Sequence, residues 1–162
     1  MRHEITQDEI RIRLATAGDI PFVQSLAERF ALAGTPPWRD PAQMWQFHRR
    51  SMQEVSSAIS NPDDLVLIAE DSRGLRLGFL HVTRIPDFFT GEQQGYVSAV
   101  AVSEQAEGKG VARALMERAE AWARECGFRI LALDVFASNT HARLFYQRLG
   151  YVEETLKLIK EL

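Results

Sequence analysis

The chain is 162 residues long, 46% hydrophobic and 25% charged, with a formal charge of −3. That size suits one domain that buries roughly 70% of the surface its unfolded chain would expose, and the composition excludes wholesale disorder. The net negative charge disfavours a nucleic-acid binder with a broad cationic face, and a single cysteine, Cys126, excludes an intrachain disulfide and fits a reducing compartment.

The first residues, Met-Arg-His-Glu, carry no apolar segment of the secretory type, and no run approaches 18 apolar residues. The expectation is one cytoplasmic domain over residues 1–162, with no nucleic-acid or membrane partner.

Ile10–Leu14 alternates apolar and charged residues, the period of a strand. Asp19-Ile20-Pro21 offers an N-cap followed by a first-turn proline, and Phe22, Val23, Leu26 and Phe30 follow at helical spacing. After a loop over Gly34–Pro37, Asp40-Pro41 opens a second helix with Gln43 at the capping-box position; it carries Trp45, Phe47 and Met52 and ends before Asn61-Pro62. Leu65–Ala69 and Leu77–Val82 read as a hairpin about the turn Asp71–Gly74. Pro86–Gln94 is polar and loop-like, and Tyr96–Val102 is a third central strand. From Val111 an apolar set of period 3.6, running to Cys126, makes a long amphipathic helix stopped by Gly127. Ile130–Phe136 reads as a buried strand. Ser138-Asn139 begins a last helix that ends at Gly150, and Tyr151–Ile159 reads as a final strand. The order β-α-α-β-β-β-α-β-α-β predicts a mixed α/β sheet, locally parallel near the C-terminus and flanked by helices.

The stretch from Ala99 to Met116 carries the chemistry. A strand feeds a glycine turn, and the turn feeds a helix whose first amides have no intrahelical partner and carry a partial positive charge. Gly108 and Gly110 let the backbone approach a ligand, and Lys109 and Arg113 add charge. The arrangement suits a phosphate. It is not a Walker loop, because Gly110 follows Lys109, and not a dinucleotide fingerprint, because Arg113 stands at the third glycine position.

Val100-Ala101-Val102 followed by Gln105-Ala106-Glu107-Gly108-Lys109-Gly110 resembles the core motif of the GNAT superfamily of acetyl-CoA-dependent N-acetyltransferases. A second block of that superfamily, a strand, an Asn and a helix ending in Tyr-x-x-x-Gly-Tyr, is matched by Leu133-Asp134-Val135, Asn139, Ala142 and Tyr146-Gln-Arg-Leu-Gly150-Tyr151. The resemblance is close over residues 96–151. It implies the GNAT-like acyl-CoA N-acyltransferase fold, with six to seven strands and about four helices. It also implies acetyl-CoA as co-substrate, without a metal, in a gap between the strands ending near Val102 and Val135.

By that resemblance, the backbone of Val100, Ala101 and Val102 binds the pantetheine arm, and the Val100 amide polarises the thioester carbonyl. Gln105, Glu107 and the turn from Gly108 through Lys109, Gly110, Val111 and Ala112 to Arg113 surround the pyrophosphate. Asn139 contacts the cofactor arm. The acceptor amine attacks directly, so Cys126, on the core stripe of its helix, is not a nucleophile.

Tyr146 is the candidate general acid: a phenol near pKa ~10 can protonate a departing thiolate near ~8.5, although the same ring also fits a core position. The base is open. The strand before the cofactor turn has no carboxylate, which leaves Glu92, Asp87, His81, or water ending at Ser98 or a backbone carbonyl; Glu92 is favoured.

Trp38, Trp45, Phe47, Phe88 and Phe89, with Asp40, Asp87 and Glu92, make a set suited to a cationic amine. The expected acceptor is a small-molecule amine. Leu133–Asn139 also resembles ribosomal-protein N-terminal acetyltransferases, so a peptide N-terminus is an alternative, and a non-catalytic acyl-CoA-binding module is another. The superfamily's habits leave a homodimer open.

Overall fold

The computed structural model describes residues 10–32 and 34–162. Among these, five strands form one sheet in the order β1-β2-β3-β4-β5: β1 Arg11–Leu14, β2 Leu65–Glu70, β3 Arg76–Pro86, β4 Gln93–Val102 and β5 Leu131–Leu133. The first three pairings are antiparallel, and only β4 and β5 run parallel.

Both faces of the sheet are covered. Leu65, Leu67 and Ala69 of β2 face one core, with Leu80, Val82 and α4 (Val111–Glu125), while Val66 and Ile68 face a second core with Phe79, Ala99 and α3 (Pro41–Ala58). A strand buried on both faces reads as a continuous apolar run, as β2 does.

The expected first long helix is broken at Leu26 into α1 Ile20–Ser25 and α2 Ala27–Leu32. Asp19 precedes α1 but makes no side-chain cap. It is fully buried, accepting hydrogen bonds from both terminal guanidinium nitrogens of Arg13 (2.7 and 2.9 Å), Arg76 Nε (2.6 Å) and the Thr16 amide (2.8 Å). The bond from Arg13 does most to hold its carboxyl well below the usual carboxylate range, against the opposing effect of burial. This cluster ties β1, β3 and the approach to α1 together. Asp40 does cap α3, accepting from the amides of Ala42 and Gln43.

Two sequence expectations are corrected at the C-terminal end. The strand expected over Ile130–Phe136 is three half-buried residues, Leu131–Leu133, and it is the outer strand of the sheet. The strand expected over Tyr151–Ile159 is absent; beyond α5 (Thr140–Arg148) the chain is exposed from Val152 onward. Alternating residues permit a strand, but only a hydrogen-bonded neighbour makes one, and these residues have none. Among the described residues the strand count is therefore five, not six or seven.

At the tip of the β3–β4 hairpin, residues expected in a loop are paired: Pro86 with Gln93, and Gln94 with Ile85.

Candidate active site

Strand β4 keeps β3 as a neighbour along its length, but its parallel pairing with β5 stops at Val97↔Leu133. From Ser98 to Val102 the β5-facing edge of β4 has no strand partner. Strand parting coincides with an irregularity: His81 pairs with Ala99 and Val82 with Val97, so Ser98 is an extra residue with no partner on β3. Such a bulge bends its strand and raises its twist. The part of β4 that the sequence assigns to the pantetheine arm, Val100–Val102, is thus the part with free backbone groups on that edge.

The turn after β4 leads directly to the N-terminus of α4. Gly110 is its N-cap, at φ 81°, and no side chain caps the helix. Gly108 has φ 72°, and a Cβ added there would meet nothing within 4 Å. Both glycines hold left-handed backbone that other residues adopt at a cost. The backbone bonds of the turn reach Lys109, whose amide donates to Ala106. The amides of the first helical turn, including Val111, Ala112 and Arg113, face outward without intrahelical acceptors. The helix is anchored by its buried stripe of Val111, Leu115, Met116, Ala119 and Ala123, so it does not depend on a cap.

Of the expected cofactor residues, Gln105, Glu107 and Arg113 flank this turn along the chain, and Asn139 starts α5. Gln105 lies in a single 3-10 turn, Glu104–Ala106, and is exposed. Glu107 is exposed and ion-paired with Arg29 of α2, which neutralises a carboxylate that would otherwise repel a diphosphate. Arg113 lies 3.9 Å from Glu117 across one helical turn. Asn139 is the N-cap of α5, and its side-chain oxygen accepts from the Ala142 amide at 3.1 Å. Gly34, between α2 and α3, packs so closely on Asn139 that an added Cβ would come within 2.5 Å of it. The Gly34 carbonyl also accepts a hydrogen bond from Ser138.

Tyr146 lies on α5 with its ring 5.2 Å from that of Phe145 and 5.8 Å from that of Tyr151. Burial pushes its phenol up to about 12. It therefore holds its proton throughout the neutral range and can donate it.

Glu92 stands just before β4 at the hairpin tip and is exposed. Along β4 it is six residues from Ser98, a separation of about 20 Å at the rise of a strand. Phe88 and Phe89 share that tip, 92% and 66% exposed. Asp87 is committed to the turn, accepting from the Phe89 and Thr90 amides, just as Asp40 is committed to capping α3. Trp45 on α3 is covered by the Arg49 guanidinium at 4.7 Å. Within the aromatic–carboxylate set that the sequence grouped around the acceptor, Asp40, Asp87 and Trp45 therefore each have a local partner. Cys126, placed by its spacing on the core stripe, is only half-buried at the end of α4, with Arg84 Nη2 3.9 Å from its sulfur.

One arrangement was not assembled from the sequence. His81 Nε2 lies 3.0 Å from Asp64 Oδ1, and His81 Nδ1 lies 2.5 Å from Ser98 Oγ. Burial opposes ionisation of Asp64, but hydrogen bonds from Thr83, His81 and Asn61 outweigh it and hold the carboxyl below its ordinary value. His81 and Ser98 were each a candidate by position. Their link to Asp64 was hidden because it depends on the bulge in β4 and on a turn 17 residues before His81.

The site is thus a parallel strand pair that separates ahead of a helix N-terminus with no side-chain cap. The family model for the acetyltransferase (GNAT) family matches residues 31–151, and the chain belongs to that family. It is 27% identical over 119 residues to aminoglycoside N(6')-acetyltransferase type 1 of Stenotrophomonas maltophilia, covering 72% of this chain and 77% of that protein. Its fold matches the GCN5-related N-acetyltransferase from Ralstonia eutropha JMP134 with a TM-score of 0.73 at 20% identity, over 94% of this chain and 98% of the other. It also matches a ribosomal-protein-alanine N-acetyltransferase from Brucella melitensis, with a TM-score of 0.66 at 20% identity over 94% and 99% of the two chains. The chain is an N-acetyltransferase. Among the described residues, no helix is long and apolar enough to cross a membrane.

Proposed function

We propose that the chain, as one domain over residues 1–162, moves an acetyl group from acetyl-CoA to the primary amine of a small molecule, by direct attack within a ternary complex. The observation that carries this reading is the end of the β4–β5 ladder at Val97↔Leu133, which leaves the last residues of β4 without a β5 partner as they lead through the turn into an uncapped α4. The pantetheine arm would add to the free edge of β4 at Val100, Ala101 and Val102, as an extended segment adds to an open sheet edge. The Val100 amide would act as donor to the thioester oxygen. Amides from Gly108 to Ala112 would hold the pyrophosphate, with Lys109 and Arg113 beside them. Tyr146 would return a proton to the sulfur.

The similarity to an aminoglycoside acetyltransferase supports a polyamine-like or aminosugar acceptor. A peptide N-terminus is the competing acceptor class. We place the reaction in the cytoplasm and the protein in a homodimer, with a second copy covering the free outer edge of β5 and the exposed Val152, Leu156 and Leu158.

Release of free thiol from acetyl-CoA, measured with kanamycin, spermidine and an alanine-initiated peptide, tests the reading. Turnover with kanamycin or spermidine, cut about 100-fold or more by Tyr146→Phe with CoA binding retained, is the expected result. Turnover with the peptide alone would reassign the acceptor, and CoA binding without turnover by any amine would remove the assignment.

A further inference from the structure

The linked side chains of Asp64, His81 and Ser98 run from the interior to the reaction gap. The Asp64 side chain is 10% exposed and His81 8%, whereas Ser98 is exposed. Ser98 is the first residue of β4 beyond its last pair with β5, and it lies two residues before Val100. An ionised carboxylate only accepts hydrogen bonds, so Asp64 requires the proton of neutral His81 on Nε2. The Nδ1 lone pair then accepts from the Ser98 hydroxyl, whose oxygen keeps lone pairs free for an incoming N–H. The chain is thus polarised with its accepting end at the gap. Behind it, a cavity of about 590 Å³ lies between α3 and His81, lined by Arg50, Glu54, Ser57, Asn61 and Asp64 among others. The charged groups that line this cavity with the imidazole are Asp64 from the turn before β2, in contact with it, and Arg50 and Glu54 from α3.

We propose that Asp64, His81 and Ser98 form the relay that takes the proton from the acceptor ammonium, with Ser98 Oγ touching the amine. The proposal rests on the acetyl-transfer reading above and replaces Glu92 as base. One N–H bond of the ammonium breaks and its proton goes to Ser98 Oγ, while the Ser98 hydroxyl proton passes to His81 Nδ1. The amine keeps the electron pair. The imidazolium sits against the Asp64 carboxylate and gives its proton to water after the product leaves. The freed amine forms the C–N bond and the C–S bond breaks; the sulfur takes a proton from Tyr146, and the second N–H proton, which the nitrogen loses as the amide forms, returns through water to the Tyr146 phenolate. Ser98 is the catalytic residue of the three; His81 holds the proton, and Asp64 is a positioning residue that fixes the tautomer.

The test uses the full chain with acetyl-CoA and kanamycin or spermidine as probe, over pH 5.5–9. His81→Gln should lower kcat about 100- to 10,000-fold and remove the acid limb of the pH profile, leaving the CoA-induced thermal shift unchanged. Asp64→Asn should move that limb to lower pH, and Ser98→Ala should lower kcat with a smaller change in KM. Wild-type rate and pH profile in His81→Gln, or in both other variants if that one does not fold, would overturn the relay. Trapping of an acetyl group on Ser98 would also overturn it, in favour of a covalent route. If the wild type neither binds CoA nor releases thiol, the acetyl-transfer reading is what fails. Imidazole ¹⁵N spectra then decide the relay alone: the Nε2–H tautomer, with an Nδ1 signal that moves in Ser98→Ala, is required, and an Nδ1–H tautomer excludes it.

Discussion

Helix α4 buries Val111, Leu115, Met116, Ala119 and Ala123 and has no side chain at its N-cap, whereas α5 buries no residue fully and is closed by the Asn139 side chain. Both helices follow a strand and a turn, β4 then α4 and β5 then α5. Packing separates them. A helix held by a deep apolar stripe can leave its first amides unsatisfied for a ligand, because its stability comes from tertiary contacts rather than from its ends. A helix of nine residues with no fully buried side chain depends on its cap. The ligand end and the closed end are therefore consequences of burial.

The largest effect should come from removing the anchor. Leu115→Ala should cost about 2–5 kcal/mol in denaturant unfolding, because a fully buried leucine leaves a cavity. Leu144→Ala on α5, at a position 47% exposed, should stay within about 0.5 kcal/mol. Equal losses would erase the contrast. Gly110→Val should come next: a β-branched residue at φ 81° should cost about 1–3 kcal/mol and weaken CoA binding at least tenfold by calorimetry.

Asn139→Ala should cost about 1 kcal/mol, the worth of a cap, and Asn139→Asp should restore most of it. Because Asp keeps the acceptor and loses the amide donor, weakened CoA binding in Asn139→Asp would show that Asn139 also touches the cofactor. The smallest effect is alkaline. Burial raises the Tyr146 phenol above its unfolded value near ~10, up to about 12. The folded state keeps a proton that the unfolded state loses, so this stabilisation is full below about pH 10 and is lost as pH rises toward 12. Tyr146→Phe should flatten that part of the stability–pH curve.

The sequence carried the signals that are local. The Asp40-Pro41 start of α3, the turn from Gly108 to Gly110 and the stripe of α4 each depend on residues within a few positions, and each forms as expected. What it did not carry depends on pairing across the chain. Asp19 looks like a helix cap and is instead the buried partner of Arg13 and Arg76, the latter 57 residues away. Glu107 looks like a liability beside a diphosphate until Arg29 is brought to it from 78 residues away. Tyr151–Ile159 has strand composition and no neighbour to pair with. Ser98 joins His81 only because one extra residue is accommodated in β4, a detail that alternation alone does not reveal.

The open end of α4 is most directly examined by titrating ¹⁵N-labelled protein with CoA and following backbone amide resonances. The amides of Gly108, Gly110, Val111 and Ala112 should shift most, together with Val100 and Val102, while those of Thr140–Ala142 at the capped start of α5 move less. Saturating CoA that leaves the Gly108–Ala112 amides unmoved would contradict the account.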